Sequence, residues 1–334
     1  MISRPSPGSA TAESLRPLDR GLLAPNIAMS AVATPEQDPD LGDELPSNLT
    51  RRPPLWWWIL AILIPVVALV WVVRTVNLHD LGAALARANL GVVALAGLLF
   101  VIGNTGVSGV RLALLMRTIP ARNPVGTVEM VRVYLASSAA HQLLPAPAAE
   151  VLRTLALLRR HGYRLGALVA VQVLEKLADT SSICLALGGV WLWSKAPPSL
   201  QVGVEISTAA GVVALVATAV WLRRRPQTLV PVLVLSVVND LTHCLVVGIV
   251  LSTLGIPSTV AEWIVIVGAT RLAGMIPGPP GQLVVTEGAV MGTLVLYGID
   301  RDLALAAALV YRLVRFVPVV GVGLLNWRTI ADAV

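Results

Sequence analysis

The chain has 334 residues, of which 56% are hydrophobic and only 13% charged, and its formal net charge is +6. Length alone would suggest two soluble domains, but such domains carry about 25% charged residues, so the composition excludes them. The basic excess is nearly all arginine and lies between apolar runs, which fits loops facing an anionic leaflet and excludes a nucleic-acid partner.

Residues 1–54 are rich in Pro, Ser, Ala and acids and show no sustained apolar period, so a disordered tail is expected there. Arg16 to Ala33 faintly imitates a signal peptide, but its apolar part is short and broken by Pro25 and Asn26, and no cleavage is expected. Met29 is an alternative start. The membrane region then runs over residues 55–330, with halves at about 55–194 and 202–326. Six apolar runs are long enough to span: Leu55–Val73, Leu90–Val110, Leu165–Trp193, Val202–Leu222, Thr228–Leu254 and Leu303–Leu325. Cys184 and Cys244 fall inside such runs and read as buried thiols.

Two segments are not simple spans. Val125–Leu144 is interrupted by Glu129, Arg132 and His141, meets Pro145-Ala146-Pro147, and is followed by Ala148–Arg160. Val260–Ile276 contains Glu262 and Arg271, meets Pro277-Gly278-Pro279-Pro280-Gly281, and is followed by Leu283–Tyr297. Broken backbone at membrane depth is tolerated only where protein or a wet cavity satisfies its polar groups, so each pair reads as a re-entrant helical hairpin.

Loop arginines set the orientation. Arg51, Arg52, Arg111, Arg117, Arg122, Arg153, Arg159, Arg160, Arg164, Arg223–Arg225 and Arg328 gather on one side, against Arg74, Arg87, Lys195 and Arg301 on the other. Both termini are therefore expected in the cytoplasm, in a multi-pass plasma-membrane protein. The halves also superimpose: thirteen residues separate Gly162 from Glu175, as they separate Gly298 from Tyr311, and Asp179 and Arg315 each lie three past the next base. With each half built as spans plus a proline-broken hairpin, the fold expected is an all-α polytopic inverted repeat.

Charges inside lipid cost at least about 2.5–3.5 kcal/mol each at a helix centre. Glu175 and Asp179 share one helical face, Arg312 and Arg315 another, and the repeat would bring these faces together. Two readings stay open: an ion-pair lock between halves, or a hydrated path in which arginines grip a phosphate and carboxylates grip an amine or a proton. Glu150, Arg153 and Glu287 follow the proline breaks, where a half-helix amino end holds an anion or is capped by a carboxylate. The spacing of Asp240 and His243 allows a proton relay or plain packing, and His141 is equally ambiguous. No phosphate loop, metal-ligand spacing or Gly-x-Ser-x-Gly elbow occurs, so no catalytic residue, metal or cofactor is expected.

LLPAPAAEVLRTLALLRR, VLEKLAD, MIPGPPGQLVVTEGAV and LVYRLVRFVP together resemble the membrane region of the lysylphosphatidylglycerol synthase/flippase-like family, over about residues 55–330. Pro145, Glu150 and Arg153 match one motif of that family, Glu175 and Asp179 a second, Pro277, Gly278, Gly281 and Glu287 a third, and Tyr311-Arg312 a fourth. Ala146 and Ala149 stand where the family has glycines, and Lys176 where it has arginine. The resemblance implies flipping of a polar or modified lipid, such as an anionic or aminoacylated phospholipid. The alternative is a non-transporting membrane partner or scaffold for a lipid or envelope biosynthesis enzyme. The sequence stops soon after Arg328, where bifunctional relatives continue into an aminoacyl-transfer domain, so no enzymatic activity is expected.

Overall fold

The computed structural model describes residues 89–144, 146–194, 198–223, 225–274, 282 and 284–331. The expected tail and the first expected span, Leu55–Val73, lie outside the described residues. Every regular element among the described residues is helical.

Asn89 starts the first helix, its side chain accepting the N–H groups of Gly91 and Val92 at 3.0 and 3.3 Å. The chain runs through α1 (Leu90–Phe100), one π-helical turn (Val101–Gly106) and α2 (Val107–Met116) without interruption. These 27 residues reach about 40 Å, so the second expected span does not stop at Val110 and Arg111 is no loop residue. The apolar run LALLM after Arg111 carries the helix onward.

The first broken pair is α3 (Thr127–Leu143) and α4 (Ala146–His161). Leu144 is extended, at φ −114° and ψ 160°, as the residue before a proline prefers. Gly162 ends α4 at φ +65°, a left-handed conformation that glycine adopts without a Cβ penalty. Then come α5 (Leu165–Ser194), α6 (Pro198–Leu222) and α7 (Pro226–Thr253). The second broken pair is α8 (Val260–Ala273) and α9 (Val285–Leu296). A capping box opens α8, Thr259 N–H donating to Glu262 and Glu262 N–H to Thr259. The break before α9 carries positive φ at Gln282 and Val284, and the Gln282 side chain donates to the Gly274 carbonyl at 2.6 Å. Last are α10 (Arg301–Leu325), capped by Asp300, and the short α11 (Arg328–Ala331).

Among the described residues, four helical stretches are long and apolar enough to cross a membrane: Leu90–Met116, Val202–Leu222, Pro226–Thr253 and Arg301–Leu325. Helix α5, with 30 residues, has the length for a span but bears Glu175, Lys176 and Asp179. The helices carry apolar side chains on their outer faces and bury polar ones within an apolar core. On α7, Val230, Val234, Leu241 and Leu245 are exposed while Ser236, Asn239, Asp240 and His243 are buried. That is the reverse of a soluble amphipathic helix, and it is stable only if the outward face meets hydrocarbon.

Helix α7 is the hub, packing on α1, α2, α5, α6, α8 and α10. Helix α3 packs on α4 and α10, and α8 packs on α9 and α5. Where α3 meets α10 the backbones nearly touch, and a Cβ on Gly323 would lie 2.6 Å from the Leu135 carbonyl oxygen. Small residues are what permit such close helix contacts in a membrane.

Candidate functional site

Among the described residues, the buried charges include two groups besides the Asp240–Arg271 pair. In the first, Arg111 of α2 is fully buried and faces α5. Its two terminal nitrogens bond both carboxylate oxygens of Asp179, with Nη2 to Oδ2 at 2.9 Å. Nη1 also donates to Ser236 Oγ of α7 at 2.9 Å, and Nη2 lies 3.5 Å from Glu175 Oε1. The second oxygen of Glu175 meets Arg153 Nη2 of α4 at 3.3 Å. Arg153 lies over the Tyr134 ring, 5.4 Å from its centroid. Two arginines thus face two carboxylates, and the group is neutral. Glu175 and Asp179 share a face, as their spacing requires, and one forked guanidinium reaches both.

The expectation that Glu175 or Asp179 would pair with Arg312 or Arg315 is therefore corrected. Their partners are Arg111 and Arg153. Spacing fixes which residues share a helix face, but it does not say which neighbouring helix that face meets.

The second group lies between α9 and α10. Arg312 Nη1 donates to Glu287 Oε1 at 2.5 Å. Thr286, Glu287, Ala308, Tyr311, Arg312 and Arg315, with Gln142 from the end of α3, line a small cleft of about 10 Å³. Three polar atoms here are buried without a hydrogen-bond partner among the described residues: Thr286 Oγ1, Glu287 Oε2 and Arg315 Nε. Arg315 makes no ion pair among the described residues; its guanidinium instead lies 5.3 Å from the Tyr311 ring centroid and 5.7 Å from that of Phe100. Two arginines against one carboxylate leave the cleft with a net positive charge. Glu287, in the first turn of α9, sits where the helix dipole favours an anion.

Of the expected site residues, the structure brings Arg153, Glu175 and Asp179 together, and separately Glu287, Arg312 and Arg315. Glu150 stands apart on a more exposed rim, 3.5 Å from Lys176. His141 is half-buried in the last turn of α3. Asp240 and His243 have separate partners: Arg271 Nη2 reaches Asp240 at 3.2 Å, and Tyr311 Oη reaches His243 Nε2 at 2.5 Å. Arg111, Ser236, Thr286 and Gln142 were not singled out from the sequence. Arg111 alone had a signal there, the apolar run that continues past it. No group of three or more metal-ligating side chains occurs among the described residues.

Fold and charge pattern define a polytopic helical membrane protein with buried charge clusters. A family model described as the lysylphosphatidylglycerol synthase TM region matches residues 58–227 and 218–323, and the chain belongs to that family, which ties it to lipid handling. A comparison with curated proteins and one with solved structures each gave no match.

Proposed function

We propose that the protein moves a polar or modified lipid between the leaflets of the plasma membrane, and that the cleft between α9 and α10 receives the headgroup. One observation carries this reading: Arg315 has no carboxylate partner among the described residues, in a cleft that also presents an open Glu287 oxygen and the Thr286 hydroxyl. An arginine fork suits a phosphate, and a carboxylate oxygen beside it suits an amine. A headgroup carrying phosphate and amine together, as in an aminoacylated phospholipid, would satisfy all three open atoms.

The architecture supports the same reading. The two broken helix pairs are re-entrant, and the halves form an inverted repeat with the termini in the cytoplasm. The corresponding helix pairings favour this. So do the mirrored ion pairs, since α4 gives a base to the acid of α5 while α9 gives an acid to the base of α10. The first group, being neutral and mutually paired, acts as a lock within the first half, tied to α7 by Ser236. A scaffold without transport would need only that lock, whereas the open cleft has no purpose in it. The chain itself transfers no aminoacyl group, so a host lacking lipid aminoacylation should gain no aminoacyl lipid when it is expressed. The direct test is purified protein in liposomes, assayed with tail-labelled lipids that differ only in headgroup. Faster movement of phosphate-bearing headgroups than of neutral ones is expected. Equal rates in protein-containing and empty liposomes would favour the scaffold.

A further inference from the structure

Arg315 differs from the other arginines of the buried clusters in what steadies it. Arg111, Arg153, Arg271 and Arg312 each meet a carboxylate. Arg315 meets rings instead, its guanidinium carbon lying 5.3 Å from the Tyr311 ring centroid and 5.7 Å from that of Phe100. A third ring joins these two. His243 of α7 stands edge to face with Phe100, centroids 5.1 Å apart, and stacks at 28° on Tyr311, centroids 5.9 Å apart. Its Nε2 is 2.5 Å from the Tyr311 hydroxyl oxygen, a contact that fixes the tilt of that ring. Phe100, His243 and Tyr311 are all buried. Tyr311 and Arg315 share a face of α10 and both line the cleft, so four side chains from α1, α7 and α10 close a circuit at its wall. Phe100 ends α1 directly before the π-helical turn, a distortion that occurs often at functional sites. The chain has two phenylalanines, and the other, Phe316, has the second cleft arginine, Arg312, at 5.5 Å from its ring centroid. A core otherwise filled with Ala, Val and Leu keeps its phenylalanines for the cleft arginines, so these positions supply ring faces rather than bulk.

A ring face and a carboxylate steady a guanidinium in different ways. The carboxylate neutralises the charge and takes up N–H groups, whereas a ring face attracts the charge and leaves the N–H groups at the guanidinium edge unused. Arg315 Nε is accordingly buried with no hydrogen-bond partner among the described residues. We propose that Phe100, His243 and Tyr311 form an aromatic bracket that holds Arg315 in place beside the cleft, with its N–H edge kept for the phosphate of a lipid headgroup. This rests on the cleft being the headgroup site. Phe100 and His243 are positioning residues that act through Arg315: Phe100 offers it a ring face, and His243 fixes the ring of Tyr311. A phosphate entering the cleft then meets a fork that is already ordered, and little side-chain freedom is lost on binding. An acid in place of either ring would steady Arg315 equally well but would occupy the donors that the phosphate needs.

The test uses the full chain in detergent, titrated calorimetrically with short-chain phosphatidylglycerol. Phe100→Leu removes the ring face and keeps the position apolar, and it should weaken binding about fivefold, the size of one desolvated cation–π contact. In an Arg315→Gln background the same change should cause no further loss, because the ring acts through the arginine. Tyr311→Phe keeps the ring and removes the hydroxyl that meets His243; it should weaken binding about twofold, again only while Arg315 is present. If Phe100→Leu does not fold, Tyr311→Phe carries the same comparison. Wild-type affinity in the folded variants would overturn the bracket. So would an equal loss with and without Arg315, which is the mark of a ring that only fills space. A wild type that binds no phosphatidylglycerol, or binds it as tightly after Arg315→Gln alone, would instead remove the headgroup-site reading on which the bracket stands.

Discussion

Arg111 offers the sharpest perturbation. It is fully buried, and its guanidinium holds Asp179 by two bonds, Ser236 by one, and lies 3.5 Å from Glu175. Arg111→Met keeps most of the side-chain volume but strands Asp179, while Glu175 keeps Arg153. Removing one partner of a buried ion pair costs about 3–5 kcal/mol, because the remaining charge stays desolvated. The Ser236 hydroxyl still bonds the Val232 carbonyl at 3.0 Å, so it adds little to that loss. Adding Asp179→Leu removes the stranded charge, and replacement of a buried pair by apolar groups is often neutral or stabilising. The double variant should therefore recover most of the loss. Equilibrium unfolding in mixed detergent micelles, followed by tryptophan fluorescence, measures both. A single variant that loses less than about 1 kcal/mol, the worth of an exposed pair, would refute the buried lock. So would a double variant no better than the single.

Three more outcomes are expected. Glu287→Arg with Arg312→Glu should fold, since the 2.5 Å pair is restored in reverse, yet move lipid more slowly, because the cleft charge is rearranged; full transport in a well-folded swap would count against Arg312 as a headgroup ligand. Gly323→Ala should destabilise by about 1–3 kcal/mol, as its Cβ would press on the Leu135 carbonyl; an unchanged unfolding midpoint would show that α3 and α10 are not so close. Single cysteines at Ser199 and Asp300 should label only from outside the cell, and labelling of Asp300 from the cytoplasm alone would break the inverted repeat.

Much of the helix plan was legible because lipid enforces it: among the described residues the apolar runs of spanning length became helices, and the helices preceding Pro145 and the Pro277–Gly281 stretch end at Leu143 and Ala273. Gly162 and Gly298, the anchors of the repeat register, both end hairpin helices with positive φ. Glu175, Asp179, Glu287, Arg312 and Arg315 stood out because charge in lipid demands a reason. Their partners did not. Arg111 looked like a loop residue because a charge interrupts the apolar run there, although LALLM carries the run and the helix onward. The meeting of His243 with Tyr311, 68 positions apart, depends on helix packing that no local spacing encodes.

On the proposed function, the cleft beside Arg315 receives the headgroup of a lipid in transit. The most direct measurement is the rate at which tail-labelled phosphatidylglycerol crosses liposome membranes containing wild type or Arg315→Gln protein, each checked for folding. The account predicts rapid crossing with the wild type and a rate at least about tenfold lower with the variant, the loss expected when one charge-assisted contact of about 1.5–3 kcal/mol is removed. Equal crossing by the two proteins would contradict it.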